Sequence, residues 1–165
     1  GRNKLQKIGS AQPVMTYGWN NTVRWKNLDL TLFFRGNVGN KILNVKRWAY
    51  GPQKSQGLNC FMYDVKKLAK GAGAYRQGVF SDYYLEDGSF LKLDNITLGY
   101  THHFKNNAYI SSLRVFATAE NVFTVTKYSG TDPDVNTSDV WSPGIDPAGF
   151  YPSVCNVMVG LNLTF

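Results

Sequence analysis

The sequence predicts an all-β chain: an antiparallel sheet of transmembrane β-barrel type, made of about five strands and carrying two long loops on one side. Three observations predict it. Five segments alternate apolar and polar residues with a period of two, as half-exposed strands do. The connections between them run short, long, short, long, which matches a barrel with tight turns at one membrane surface and long loops at the other. Finally, Trp25, Tyr100, Tyr109 and Phe165 all fall beside short turns or at the chain end, and so at one rim. Aromatic girdles at the membrane interface are a barrel feature.

The first strand is expected over about residues 14–25, with Met15, Tyr17, Trp19, Asn21, Val23 and Trp25 on one face and Thr16, Gly18, Asn20, Thr22 and Arg24 on the other. A two-residue turn, Lys26-Asn27, leads into the second, about 28–36, where Leu28, Leu30, Leu32 and Phe34 alternate with Asp29, Thr31, Phe33 and Arg35. A long, irregular stretch follows, about 37–88, with one short helix expected over 61–70. The third strand, about 89–101, carries Ile96, Leu98 and Tyr100 against Asn95, Thr97 and Gly99. A short link from His102 to Ala108 precedes the fourth, about 109–122, with Leu113, Val115, Ala117 and Ala119 opposed to Arg114, Phe116, Thr118 and Glu120. The second long loop covers about 123–153. The last strand, about 154–165, sets Val157, Val159, Leu161 and Leu163 against Asn156, Met158, Gly160 and Asn162.

A charge that meets hydrocarbon at the midplane costs about 2–4 kcal/mol. Four of the strands keep their apolar face free of charge over the central segment. The third breaks the rule, with Lys92 and Asp94 in phase with Ile96. They lie toward the long-loop end, where a strand can project above the bilayer. A soluble β-sandwich that binds carbohydrate is the alternative, since its strands alternate too. The single aromatic rim favours the barrel.

Composition narrows the function. The chain is 43% hydrophobic, 15% aromatic and only 18% charged, which excludes intrinsic disorder. No run of eighteen apolar residues is present, which leaves strands as the way to cross a membrane. Residues 1–10 are polar and basic and do not read as a signal peptide. With no initiator Met, the chain is expected to be part of a longer one or a processed product. The net charge of +7 is concentrated: eight Lys and Arg against Asp64 lie within 37–80, whereas 127–153 is acidic. Segregation of this kind indicates distinct surfaces and not a nucleic-acid footprint.

No catalytic, cofactor or metal residues are expected. Cys60 and Cys155 fit neither a metal motif nor a disulfide framework. His102-His103 lacks the i, i+4 spacing of a zinc helix. Neither a Gly-x-Ser-x-Gly elbow nor a phosphate loop occurs. Asp132-Pro-Asp134-Val-Asn136 looks like the start of a calcium loop, but the sixth position lacks Gly and the twelfth would be Pro143, which excludes an EF-hand. Exposed aromatics in the two long loops, Trp48, Tyr50, Trp141 and Tyr151, are candidate contacts for a substrate or partner, because rings stack on sugar faces and grip proteins.

Several blocks carry a family resemblance. Asp-Gly-Ser-Phe-Leu-Lys-Leu-Asp-Asn-Ile-Thr-Leu-Gly-Tyr (87–100) and Ala-Glu-Asn-Val-Phe-Thr-Val-Thr-Lys-Tyr-Ser-Gly (119–130) are the strongest. Val-Gly-Leu-Asn-Leu-Thr-Phe (159–165), Leu-Asp-Leu (28–30) and Gly-Asn-Val-Gly-Asn (36–40) add to them. Together they resemble the C-terminal part of SusC/RagA-family TonB-dependent outer-membrane transporters of Bacteroidetes, over essentially the whole chain. The resemblance implies a larger barrel of about 22 strands, of which these would be the last five, with the plug domain absent from this chain. It implies residence in the cell outer membrane and import of glycans, oligosaccharides or peptides. It also implies a SusD-like surface lipoprotein as lid, and the TonB complex as energy source through the missing N-terminal part. Gly160, Leu161, Leu163 and Phe165 resemble the signal read by the barrel-assembly machinery.

Overall fold

The structure, a computed structural model, describes residues 7–50, 82–105, 109–135, 141–147, 149 and 151–165, with the backbone alone at 48–50. These residues form two compact units.

The first unit is a five-stranded sheet of order β1-β2-β5-β6-β8: β1 (Met15–Trp25), β2 (Leu28–Val38), β5 (Phe90–His103), β6 (Ser112–Thr126) and β8 (Asn156–Thr164). The β2–β5, β5–β6 and β6–β8 ladders are antiparallel, and β1 and β8 form the two edges. Residues directly opposite each other in such ladders share a face. One face can therefore be followed across four strands. Leu30 pairs with Leu98, Leu98 with Ala117, and Ala117 with Val159. One row nearer the short turns, Tyr100 pairs with Val115 and Val115 with Leu161. On β1, Trp19 joins this face by stacking on Phe34, with ring centroids 5.7 Å apart. The opposite face is polar: Thr31 pairs with Thr97, Thr97 with Thr118, and Arg114 with Asn162. Thr22 reaches Thr31 on this side, Oγ1 to Oγ1 3.3 Å. The two-residue period thus sorts the side chains as the sequence predicts. Met158, opposite Thr118, is an apolar residue on the polar face.

In a β-sandwich the apolar face would be covered by a second sheet. Here Val157, Val159 and Leu161 are 71%, 74% and 67% exposed, so the sandwich expectation is not met.

Two expectations at the strand ends are corrected. The ladder of β5 continues through His102 and His103, opposite Leu113 and Ser112, so these histidines end a strand and do not belong to the link. At the other end β6 continues to Thr126, opposite Phe90, four residues beyond the predicted limit. The cause is a bulge. Asn121 turns through a left-handed φ of 53°, a conformation Asn tolerates, and pairing resumes at Phe123 opposite Leu93.

The same irregularity overturns the expected placement of Lys92. Phe33 pairs with Asn95 but Phe34 pairs with Leu93, so Asp94 is an extra residue in β5. The phase of β5 inverts there. Leu91 and Leu93 join the apolar face, and Lys92 moves to the polar face opposite Arg35 and Thr124. The bulge, invisible to a strict period of two, removes Lys92 from the apolar row.

The second unit draws on the N-terminal segment and both predicted long loops. These are not wholly irregular. They hold a three-stranded sheet, β4-β3-β7, made of β3 (Lys41–Asn44), β4 (Leu85–Asp87) and β7 (Ile145–Asp146), together with helix α1 (Val45–Tyr50). Ile42, Tyr128 and Val135 form its buried apolar core. The helix expected over 61–70 lies outside the described residues, as does Cys60. Cys155 is exposed and unbridged ahead of β8.

Candidate functional site

The polar face of the five-stranded sheet is the first candidate surface. Its best-defined element is an ion pair between Asp29 on β2 and Arg114 on β6. Arg114 Nη2 lies 2.6 Å from Asp29 Oδ2, and Nε donates to Oδ1 at 3.3 Å. The two strands are not neighbours, so the pair spans β5. Gly99 makes this span possible: a Cβ there would come within 2.6 Å of Asp29 Oδ1 and 2.7 Å of Arg114 Nη2. The Arg114 guanidinium also lies 5.3 Å from the centre of the Phe116 ring. Around the pair a cleft opens at the short-turn end, where Arg24, Lys26, Thr101 and His103 add polar and basic groups.

Toward the long-loop end, Arg35 Nε pairs with Asp94 Oδ1 at 3.1 Å. Cross-strand contact between the Oγ1 atoms of Thr97 and Thr118, 2.9 Å apart, lies between the two ion pairs. This face therefore presents hydrogen-bonding groups and two cross-strand ion pairs, while its reverse presents Leu, Val and Ala.

The loop unit is built around Glu86 on β4. Its Oε1 accepts from Arg47 Nη1 at 3.1 Å, Asn44 Nδ2 at 3.2 Å and Ser129 Oγ at 2.7 Å, and its Oε2 accepts from the Ser129 amide at 2.8 Å. Local sequence explains the approach. Asn44 caps α1 by accepting the Arg47 amide at 2.8 Å, which sets Arg47 at the first turn with its guanidinium toward Glu86. Arg47 Nη2 donates in addition to the Tyr83 hydroxyl at 2.9 Å. One carboxylate thus ties the start of the first loop, its end, and the second loop together.

Burial pushes the Glu86 carboxyl up. The hydrogen bonds from Ser129 and Arg47 and the Arg47 charge outweigh it, and hold the group below its ordinary value of 4.5. Asp87 is held below 3.8, first by Ser89, whose hydroxyl and amide both donate to it. Groups with depressed folded values stabilise above their unfolded values and lose that contribution as the pH falls through the folded ones. Acidification below about pH 4 should therefore loosen the loop unit. Hydrogen-exchange protection factors at the Ser89 and Ser129 amides, corrected for the intrinsic pH dependence of exchange, should fall there and stay constant between pH 6 and 8. Protection factors at pH 3 equal to those at pH 7 would refute this clasp.

Asp146 is wholly buried and makes the second anchor. The Tyr128 hydroxyl donates to its Oδ2 at 2.6 Å, and Lys46 Nζ stands 3.5 Å from Oδ1 while donating to Thr131 at 2.8 Å. Burial, and then the contact with Asp146, push the Tyr128 phenol far above its ordinary range, so it stays a donor. The Asp132 side chain accepts the Asp134 amide at 3.0 Å, an ordinary turn contact. Among the described residues no cluster of His, Cys, Asp and Glu has the arrangement of a metal site.

Of the predicted contact residues, Trp141 and Tyr151 are 94% and 78% exposed. Trp48 and Tyr50 fall within α1, and their side chains lie outside the described residues. A hollow lined by Ile8, Lys41, Leu43, Leu85, Pro143 and Ile145 in the loop unit includes neither Trp141 nor Tyr151. Gly160 lies beneath the Phe116 ring, which leaves no room for a Cβ, and Leu161, Leu163 and Phe165 are exposed. The Glu86 clasp, the Asp146 anchor and the Asp29–Arg114 pair are absent from the sequence-based candidates. Polar residues in phase on two strands gave some signal for the last. Nothing in the sequence pattern marked the first two.

The comparison that decides the relationship is with TonB-dependent receptor P3 of Formosa agariphila, 31% identical over 170 residues, covering 96% of this chain and 17% of that protein. The chain is homologous to TonB-dependent receptors. TonB-dependent receptor SusC of Bacteroides thetaiotaomicron is 32% identical over 154 residues, covering 90% of the chain and 15% of SusC. Among solved structures, the RagAB peptide transporter matches with a TM-score of 0.79 at 28% identity, over 95% of this chain and 18% of the transporter chain. No protein-family model matches. The chain thus spans about a sixth of the length of these receptors. Its antiparallel sheet, open at β1 and β8, matches part of the RagAB fold.

Proposed function

We propose that these residues are the C-terminal wall of a SusC-like transporter in the cell outer membrane. The whole protein imports glycans, oligosaccharides or peptides, driven by the TonB complex and closed by a SusD-like surface lipoprotein. The observation that carries this is the two-faced open sheet: an exposed apolar face without charge along Leu30, Leu98, Ala117 and Val159, backed by a polar face with paired charges. Strands of 9 to 15 residues are long enough to cross, since a tilted transmembrane strand needs about 9–11. In this reading lipid covers the apolar face, and the polar face lines the lumen without performing catalysis. Trp48, Tyr50, Trp141 and Tyr151 stand on the outer loops, where a substrate or the lipoprotein meets them. The likeness to the RagAB peptide transporter supports peptides as one substrate class.

The test uses the full-length protein in its own cells. Affinity purification in detergent should recover a surface lipoprotein with it. Uptake of its glycan or peptide should stop when TonB is removed. Recovery of the full-length protein as a soluble monomer without detergent would overturn the reading.

The chain end carries a second expectation. Phe165 is 85% exposed and follows Thr164, which pairs with Ser112 at the short-turn rim. There its ring anchors at the periplasmic interface and serves as a handle for the barrel-assembly machinery. In the full-length protein Phe165→Asp should sharply reduce the heat-modifiable, folded band in outer membranes, and Thr164→Ser should not. Normal folded levels of Phe165→Asp would defeat the handle.

A further inference from the structure

The short-turn end of the sheet carries more cations than acids. Residues 22–31, 97–116 and 158–165 meet there, and they hold Arg24, Lys26, Lys105 and Arg114 against Asp29 as their single acid. On the polar face, Arg24, Lys26, Asp29, Thr101, His103 and Arg114 surround an open cleft of about 430 Å³. Arg24, Lys26 and His103 are exposed, so the cleft is accessible from solvent.

Register explains the gathering. Asp29 lies opposite Gly99, and Thr101 lies opposite Arg114. Thr101 and His103 follow Gly99 in steps of two and so share its face. The Lys26-Asn27 turn takes a left-handed φ of 54° at Lys26, and the Asn27 carbonyl accepts the Thr101 amide at 2.8 Å. That contact ties the turn, with Lys26 and the neighbouring Arg24, to the rim of β5.

Asp29 is already engaged, since its two oxygens accept Nε and Nη2 of Arg114. The pair fixes the guanidinium and leaves Nη1 as a further donor. Among the described residues no acid pairs with Arg24 or Lys26. The Lys26 ammonium lies 5.4 Å from the centre of the Trp25 ring, a contact that leaves its charge uncompensated. The cleft thus offers guanidinium, ammonium, hydroxyl and imidazole groups and is short of an anionic acceptor. A carboxylate matches such donors through charge-assisted hydrogen bonds.

We propose that this cleft seats a carboxylate, an Asp or Glu from the part of the receptor chain outside residues 1–165. This rests on the reading of the polar face as a lumen wall. The chain covers 17% of receptor P3 and 15% of SusC, so most of such a receptor lies outside it. Lipid phosphates are poor occupants, because the cleft opens on the face opposite Tyr100 and Val115. A free anion is a poor occupant too, because salt screens exposed charges. An acid on the same chain is held near the cleft at a high effective concentration, which offsets that screening.

The experiment uses the full-length receptor in detergent, folded as judged by its heat-modifiable band. A carbodiimide activates a carboxylate, the Lys26 amine attacks it, and an amide forms as the reagent leaves as its urea. After digestion, mass spectrometry should find Lys26 joined to an Asp or Glu outside residues 1–165. Lys26 recovered uncoupled, or joined to Asp29 alone, overturns the seat.

Variants supply the second measurement. With Arg24→Gln and Lys26→Gln together, proteolysis outside residues 1–165 should quicken about tenfold, the effect of losing two exposed charge contacts. High salt should do the same to the wild type and add little in the double variant. Arg24→Lys with Lys26→Arg keeps the charges and should keep the protection. Lys105→Gln, at the same end but outside the cleft lining, should change nothing. Cleavage of the double Gln variant at the wild-type rate overturns the proposal, as does an equal effect of Lys105→Gln, which signals net charge alone. A double Gln variant that is protected normally but loses a stabilisation by added acetate would place a free anion in the cleft, and would overturn the intrachain source. A wild-type receptor without a heat-modifiable band would refute the barrel reading instead, so the two failures are distinguishable.

Discussion

Val159→Arg in the full-length receptor is expected to destabilise the folded barrel by about 2–4 kcal/mol, the cost of a guanidinium at the bilayer midplane. Val159 lies in the row Leu30–Leu98–Ala117–Val159, near the middle of each ladder, and is 74% exposed. Among the described residues nothing on that face offers a counter-charge, and the small Ala117 beside it offers no polar shelter. Urea titration in lipid vesicles, read by the folded band on a gel, measures the loss. The control is Met158→Lys, one residue away on the opposite face, which should cost far less. If the two substitutions cost the same, the assignment of lipid and lumen faces is wrong.

Glu86→Ala should have an effect of similar size but confined to the loop unit. Removing one member of a buried charge pair costs about 3–5 kcal/mol, because the other is left uncompensated. The Arg47 and Glu86 side chains are 10% and 13% exposed, so Arg47 would lose the carboxylate that balances its charge while keeping its hydrogen bond to the Tyr83 hydroxyl. The Ser129 amide and hydroxyl would lose their acceptors as well. Proteolysis within 127–135 and exchange at the Ser129 amide should rise sharply, while the sheet formed by β1, β2, β5, β6 and β8 keeps its heat-modifiable behaviour. Glu86→Gln should fall between, since it keeps an acceptor but loses the charge. Loops that resist protease equally in wild type and Glu86→Ala would refute the clasp.

The contrast between the two units shows where sequence reasoning succeeds. A strand in a one-sided environment repeats every two residues, so each of the five strands carries its own redundant record of which face meets which solvent. Leu28, Leu30 and Leu32 disclose the outer face of β2 without knowledge of any neighbour. The loops carry no such repetition. Glu86 finds Asn44, Arg47 and Ser129 from segments about 40 residues away on either side. No local period records a meeting of that kind. The parallel pairing of Leu43 with Ile145 is likewise unreadable, because β7 is only two residues long.

The sequence by itself determined the strand-rich class, the two faces, the aromatic rim and the resemblance that homology then supported, because alternation and motif blocks are local properties of the chain. Tertiary structure alone decided the rest. It showed that the loops hold a small sheet around a buried carboxylate, that β6 runs on past Asn121, and that Asp29 reaches Arg114 across Gly99. It also turned Lys92 from the outer row to the inner one. The physical reason is common to all four: each depends on a pairing register between distant segments. A single bulged residue is enough to invert the phase that a period of two assigns.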